Sequence, residues 1–196
     1  MSEAVLDTHS VEPNTGVSNA KLGMWLFLAS EVMFFTGLIG AYIVLRLGAD
    51  AWPDPNEILA TGILATNTFI LIVSSVTMVM ALHAVQHNDR GKLILFLVLT
   101  ALLGLSFLCI KAYDYNHMWH EGTTLSSSLF GSCYYTLTGF HGLHVLAGVI
   151  SIACLAIGAA RGSWNSEQYD AIENIGLYWH FVDLVWIILF AILCLI

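Results

Sequence analysis

Charged side chains are scarce in this chain, and basic ones are the scarcest. Lys and Arg number 6 against 14 Asp and Glu, so the formal net charge is −8. This composition excludes a nucleic-acid partner, because phosphate contacts need a basic patch. Only 10% of the residues are charged, whereas 58% are hydrophobic and soluble domains carry about 25% charge. This shortage of charged residues predicts an integral membrane protein.

Paired cysteines and catalytic motifs are also missing. The four cysteines are scattered through apolar stretches without any C-x-x-C spacing, which predicts small buried side chains rather than disulfides or a zinc site. There is no G-x-S-x-G elbow, P-loop or H-E-x-x-H motif. We therefore expect no catalytic residue in this chain.

Long apolar runs are what the sequence has instead. Spanning a bilayer takes roughly 20 helical residues, and five runs qualify: 22–47, 58–82, 93–112, 127–160 and 173–196. None alternates polar and apolar residues as barrel strands do. We predict an all-α, five-helix transmembrane bundle over residues 21–196. The polar tail at 1–20 lacks the basic start and apolar core of a secretory signal.

Basic residues near the span ends indicate the orientation, because they concentrate on the cytoplasmic side. With the N-terminus cytoplasmic and the C-terminus outside, four lie inside (Lys21, Arg90, Lys92 and Arg161) and two outside (Arg46 and Lys111). Small residues such as Gly37 and Gly148 predict close helix packing within the bundle.

Glu31 is an acidic residue inside the first apolar span. Such a carboxyl is costly in hydrocarbon, so it is expected to face neighbouring helices and to be protonated at neutral pH. The Glu31 carboxyl either takes part in proton chemistry or forms a structural hydrogen bond that holds two helices together.

Two further polar pairs lie inside spans: His141 with His144, and His180 with Asp183. Each pair is three residues apart and so shares one helical face. A bis-histidine haem would need one histidine from each span, and a dimetal carboxylate site would need Glu-x-x-His repeats that are absent. We therefore expect hydrogen-bonding packing groups and no metal. A haem-bearing membrane anchor and a proton-coupled transporter using Glu31 remain alternatives.

The segment from His117 to Glu121 contains two histidines and an acid beside Trp119. Trp and Tyr favour the membrane–water boundary, so we expect an interfacial loop rather than a metal site.

Four blocks together resemble subunit III of the haem-copper cytochrome oxidases. They are LFLASEVMFFTGL (26–38), KAYDYNHMWHEGTT (111–124), FGSCYYTLTGFHGLHVLAG (130–148) and YWHFVDLVWI (178–187). The blocks follow the family's order, and the five-helix form is similar to one among bacterial oxidases. Many members carry two more helices before the one that bears the glutamate. Lys111 and Asp114 depart from the neutral amide and glutamate that the family has there.

The resemblance implies an accessory role in the bacterial inner membrane. Glu31 stands where the family has a carbodiimide-reactive carboxyl. The family's third subunit holds no haem or copper, which belong to partner subunits. It packs against catalytic subunit I, supports proton uptake and slows inactivation during turnover. Phospholipid binds in its cleft, and an oxygen route through the cleft has been proposed. The sequence favours cytochrome c as the donor to the complex, with a quinol oxidase as the alternative.

Overall fold

The computed structural model describes residues 18–50, 52–53, 61–166 and 168–194. These residues form five helices: α1 (Asn19–Leu47), α2 (Thr61–Gln86), α3 (Arg90–His120), α4 (Leu129–Arg161) and α5 (Asp170–Cys194). All five are long and apolar enough to cross a membrane. Apart from one isolated bridge between Asn165 and Gln168, the described part contains no β-structure. The five-helix, all-α prediction is confirmed.

Helix α3 extends eight residues beyond the predicted span, from 112 to 120. His117 and His120 therefore lie in its last turn, and the predicted loop was wrong there. The Glu121 amide donates to the His117 carbonyl, and Gly122 then leaves the helix at φ +83°, a conformation that glycine adopts without steric cost. The other predicted boundaries differ by a few residues, except that the predicted start of the second span, 58–60, and the predicted end of the fifth, 195–196, lie outside the described residues.

The core of the bundle is made by α2 to α5. Two tryptophans of α5 reach across to hydroxyls of α2: Trp179 Nε1 donates to Ser74 Oγ at 3.0 Å, and Trp186 Nε1 donates to Thr68 Oγ1 at 2.9 Å. The Trp179 ring lies directly over two glycines, Gly104 of α3 and Gly148 of α4. An indole buried in hydrocarbon needs a partner for its N–H, so these contacts satisfy the polar atom and bury the ring together.

Helix α1 lies at the edge of the bundle. Only Leu28, Phe35 and Tyr42 are buried on it, spaced seven residues apart. Lys21 at its start forms an ion pair with Glu173 of α5 at 2.5 Å, and Tyr42 near its end packs edge-on against Trp52. The remaining side chains of α1 are largely exposed and apolar. This helix therefore depends on a few specific contacts for its position.

Candidate functional site

Glu31 of α1 and His144 of α4 form a polar contact within the membrane-spanning region. Glu31 Oε2 lies 2.9 Å from His144 Nε2, and the side chains are 17% and 19% exposed. Phe35 packs edge-on against the imidazole, with ring centres 5.1 Å apart. Tyr178 of α5 donates to the His144 carbonyl at 3.0 Å. The site therefore joins three helices at one point.

The other ring nitrogen of His144 determines what the pair can do. His144 Nδ1 lies 2.7 Å from the Phe140 carbonyl oxygen, which can only accept, so Nδ1 carries a proton. Nε2 then either accepts from a protonated Glu31 or donates to an ionised one. Both states have zero net charge, which limits the cost of burying them in a low-dielectric interior. The pair can therefore hold one mobile proton without leaving an unpaired charge in the membrane.

His141 faces a different part of the molecule, although it is only three residues from His144. It is fully buried between α3 and α5, with its ring stacked on Trp186 at 4.9 Å and edge-on to Phe107 at 5.8 Å. Neither of its ring nitrogens has a hydrogen-bond partner among the described residues. The structure thus separates two histidines that the spacing placed on one face.

His180 and Asp183 lie on the side of α5 that faces α2. His180 Nδ1 is 2.6 Å from Ser75 Oγ, and the Asp183 carboxyl interacts with the same hydroxyl. Asp183 is 7% exposed, and its Oδ1 has no hydrogen-bond partner within the described segments. Ser75 therefore links the two predicted residues to the neighbouring helix.

A buried charged cluster was missed by the sequence reasoning. Lys111 and Asp114 of α3 are 3% and 5% exposed, and Tyr134 of α4 is 1% exposed. Lys111 Nζ donates to Asp114 Oδ2 at 2.9 Å and to the Tyr134 hydroxyl at 2.6 Å. That hydroxyl donates in turn to Asp114 Oδ2 at 2.7 Å. The only signal in the sequence is the i,i+3 spacing of two opposite charges, and Lys111 was taken instead as a basic residue at the outer end of its span.

No group of three or more His, Cys, Asp or Glu side chains is positioned to hold a metal ion within the described residues. Apart from His141, whose ring nitrogens have no hydrogen-bond partner among the described residues, the candidate intramembrane residues form pairs and small clusters that reach a neighbouring helix. Their arrangement suits hydrogen bonding and proton exchange.

Comparison with known proteins shows the family to which this sequence belongs. The family model described as cytochrome c oxidase subunit III matches residues 1–195. The chain belongs to the cytochrome c oxidase subunit III family. The predicted resemblance is therefore confirmed, and the protein is a subunit of a membrane oxidase complex of the respiratory chain.

Individual relatives agree with this family. A probable cytochrome c oxidase subunit 3 of Nocardia farcinica (strain IFM 10152) is 40% identical over 171 residues, or 87% of this chain and 84% of the relative. The cytochrome c oxidase subunit 3 of Bacillus subtilis (strain 168) is 36% identical over 90% of this chain and 86% of its own. A probable quinol oxidase subunit 3 of Staphylococcus saprophyticus is 31% identical over 94% and 93%.

Proposed function

We propose that this subunit III is the non-redox accessory subunit of a bacterial cytochrome c oxidase. In this role it stabilises the catalytic subunit I, which carries the haem and copper, and supports proton uptake into it. The observation that carries the proposal is the hydrogen bond between Glu31 and His144. It places an exchangeable proton where α1, α4 and α5 meet, at the carboxyl that the family resemblance marks as reactive.

The choice of cytochrome c as donor rests on the relatives. Those at 36% and 40% identity are named as cytochrome c oxidase subunits, and the one named as a quinol oxidase subunit is 31% identical. Reduced cytochrome c should therefore support oxygen consumption by the purified complex, and a quinol should not. A complex that consumes oxygen with a quinol and not with reduced cytochrome c would reverse this assignment.

The proposed membrane is the bacterial inner membrane, with the N-terminus cytoplasmic and the C-terminus outside. Lys111 is paired with Asp114 inside the bundle, so Arg46 is the one predicted outer basic residue that remains at a helix end. The proposed orientation then sets four basic residues on the cytoplasmic side against one outside. Terminal reporter fusions, active on only one side of the membrane, test the orientation directly.

Phospholipid is a proposed ligand of the exposed surface of α1. A groove of about 180 Å³ runs between α1 and α4, lined by Leu38, Tyr42, Leu129, Cys133 and Leu137 among others. Its apolar lining is compatible with an acyl chain. Lipid that remains with the complex through purification, identified by mass spectrometry, is the expected result.

Removal of the chain from the complex tests the accessory role. The depleted complex should keep its haem absorption spectrum, because we propose that no redox centre belongs to this chain. Turnover should slow at alkaline pH, where protons are scarce, and decay faster during catalysis. Loss of haem or copper on depletion, or full and lasting activity without the chain, would contradict the proposal.

A further inference from the structure

Two exposed histidines stand together at the C-terminal end of α2, away from the intramembrane contacts. His83 lies in the last turn of α2 and His87 just past its end; they are four residues apart, the spacing of neighbours on one helical face. Their rings are stacked, with centres 4.2 Å apart and planes inclined by 27°. Neither side chain contributes to the buried core, so packing within this chain does not account for their pairing.

A backbone contact sets the tautomer of His87. Its Nδ1 lies 2.9 Å from the carbonyl oxygen of His83, and a carbonyl can only accept, so Nδ1 carries a proton. In the neutral ring Nε2 then has a free lone pair. Metal-binding histidines characteristically donate their other ring N–H to a carbonyl or carboxylate in this way, which orients the ring and raises its basicity.

The spacing of the rings suits a shared ion. Zinc binds imidazole nitrogen at 2.0–2.1 Å in tetrahedral geometry, so two nitrogens on one zinc are about 3.4 Å apart. The ring centres are 4.2 Å apart, and side-chain rotation that turns the stacked rings toward one another brings their nitrogens onto one ion. His83 lies in the last turn of α2, where the helix dipole favours positive charge, and His87 directly follows the helix.

We propose that His83 and His87 form a two-nitrogen chelate for one divalent transition-metal ion of the zinc, copper or nickel class. Water completes the coordination, since no third ligand is positioned there among the described residues. Such an ion exchanges readily and is not a resident cofactor. The site is separate from the intramembrane histidines, for which the sequence predicts no metal.

The test uses the intact complex, purified with a tag that contains no histidine and freed of metal by a chelator. Copper(II) is added at one equivalent, and electron paramagnetic resonance counts the coordinating nitrogens. Zinc affinity is measured by calorimetry. The variants are His83→Ala, His87→Ala and, as a matched control, a double variant with His117→Ala and His120→Ala. The control removes another exposed pair at a helix C-terminus, in which His117 lies 3.5 Å from Glu121.

We expect two nitrogens in the wild type and in the control, and one nitrogen in each single variant. Zinc affinity should fall by roughly tenfold or more in each single variant, as even the loss of an outer hydrogen-bond partner costs about that much. Unchanged binding in either single variant would overturn the proposal, and so would loss of the first equivalent in the control. Because both histidines are exposed, circular dichroism should show that the variants remain folded.

Discussion

Lys111 donates a hydrogen bond to Asp114 at 2.9 Å although both side chains are almost completely buried. Tyr134 closes the ring by bonding to both of them. The Lys111 ammonium also lies 5.3 Å from the centre of the Trp186 ring. A buried charge pair is held by such surrounding contacts, because the cost of removing two charges from water can exceed their mutual attraction.

The two members of this pair should therefore be replaceable together but not separately. Asp114→Asn alone leaves a buried ammonium without its counter-ion and should cost about 3–5 kcal/mol in the free energy of unfolding. A double variant with Lys111→Met and Asp114→Leu should cost much less. The measurement is a comparison of the free energies of unfolding of these variants in mixed detergent micelles. The exposed pair Asp89 and Lys92, also spaced i,i+3, serves as control, and Lys92→Ala should have little effect. Equal losses in the single and double variants would contradict this account.

Replacing Glu31 should separate its structural role from its proton chemistry. Glu31→Gln can still donate to His144 Nε2, so α1 should remain in place, whereas Glu31→Ala should loosen it. Hydrogen exchange in α1 reports the difference. A hydrophobic carbodiimide, which reacts with protonated carboxyls, should label the wild type at Glu31 and neither variant. Infrared bands showing an ionised Glu31 at neutral pH would argue against the protonated carboxyl expected from the sequence.

Glycine 148 should be sensitive to the addition of one methyl group. A Cβ atom there would lie 2.7 Å from two atoms of the Trp179 ring, so Gly148→Ala should destabilise the bundle by about 1–3 kcal/mol. On the same helix, a Cβ at Gly142 meets nothing within 4 Å, and Gly142→Ala should be close to neutral. Thermal unfolding of the two variants makes the comparison. Similar melting temperatures would mean that Trp179 moves aside easily.

The N-terminus of α3 should lose protection only in strong acid. Asp89 Oδ1 accepts from the Lys92 amide at 3.1 Å, and the hydrogen bond from the Lys92 side chain lowers the pKa of the Asp89 carboxyl below its ordinary 3.8. A lowered pKa adds stability above the ordinary value, and this stability is lost as the pH falls through the folded value. The protection factors of the first-turn amides, which are corrected for the intrinsic pH dependence of exchange, should be constant from neutral pH to about pH 5 and fall only below 3.8. Asp89→Asn, which keeps the cap but does not titrate, should remove that fall. Loss of protection near neutral pH would contradict the mechanism.

The number and type of helices were predictable because long apolar runs in a chain with few charges permit little else. The partners of the polar residues were not. Spacing along a helix relates His141 to His144 but does not say which neighbours each one meets, and the structure directs them to different helices. Gly37 and Gly148 looked alike as packing residues, yet a Cβ at Gly37 meets nothing within 4 Å. Lys111 was misjudged because a charged residue near the end of an apolar span is taken to be solvated. Hydropathy does not register that Asp114, one turn further along, can pair with it inside the bundle.

The two indole hydrogen bonds between α5 and α2 bear on how this chain assembles. Helices already inserted in lipid meet through surfaces as apolar as the lipid itself, so many alternative pairings have similar energies. A slip of one residue moves a helix by 1.5 Å and rotates it by 100°, which would turn Trp179 and Trp186 away from Ser74 and Thr68 at the same time. Two N–H groups would then lie unsatisfied in hydrocarbon. The two tryptophans therefore favour one register of α5 against α2 over the slipped alternatives.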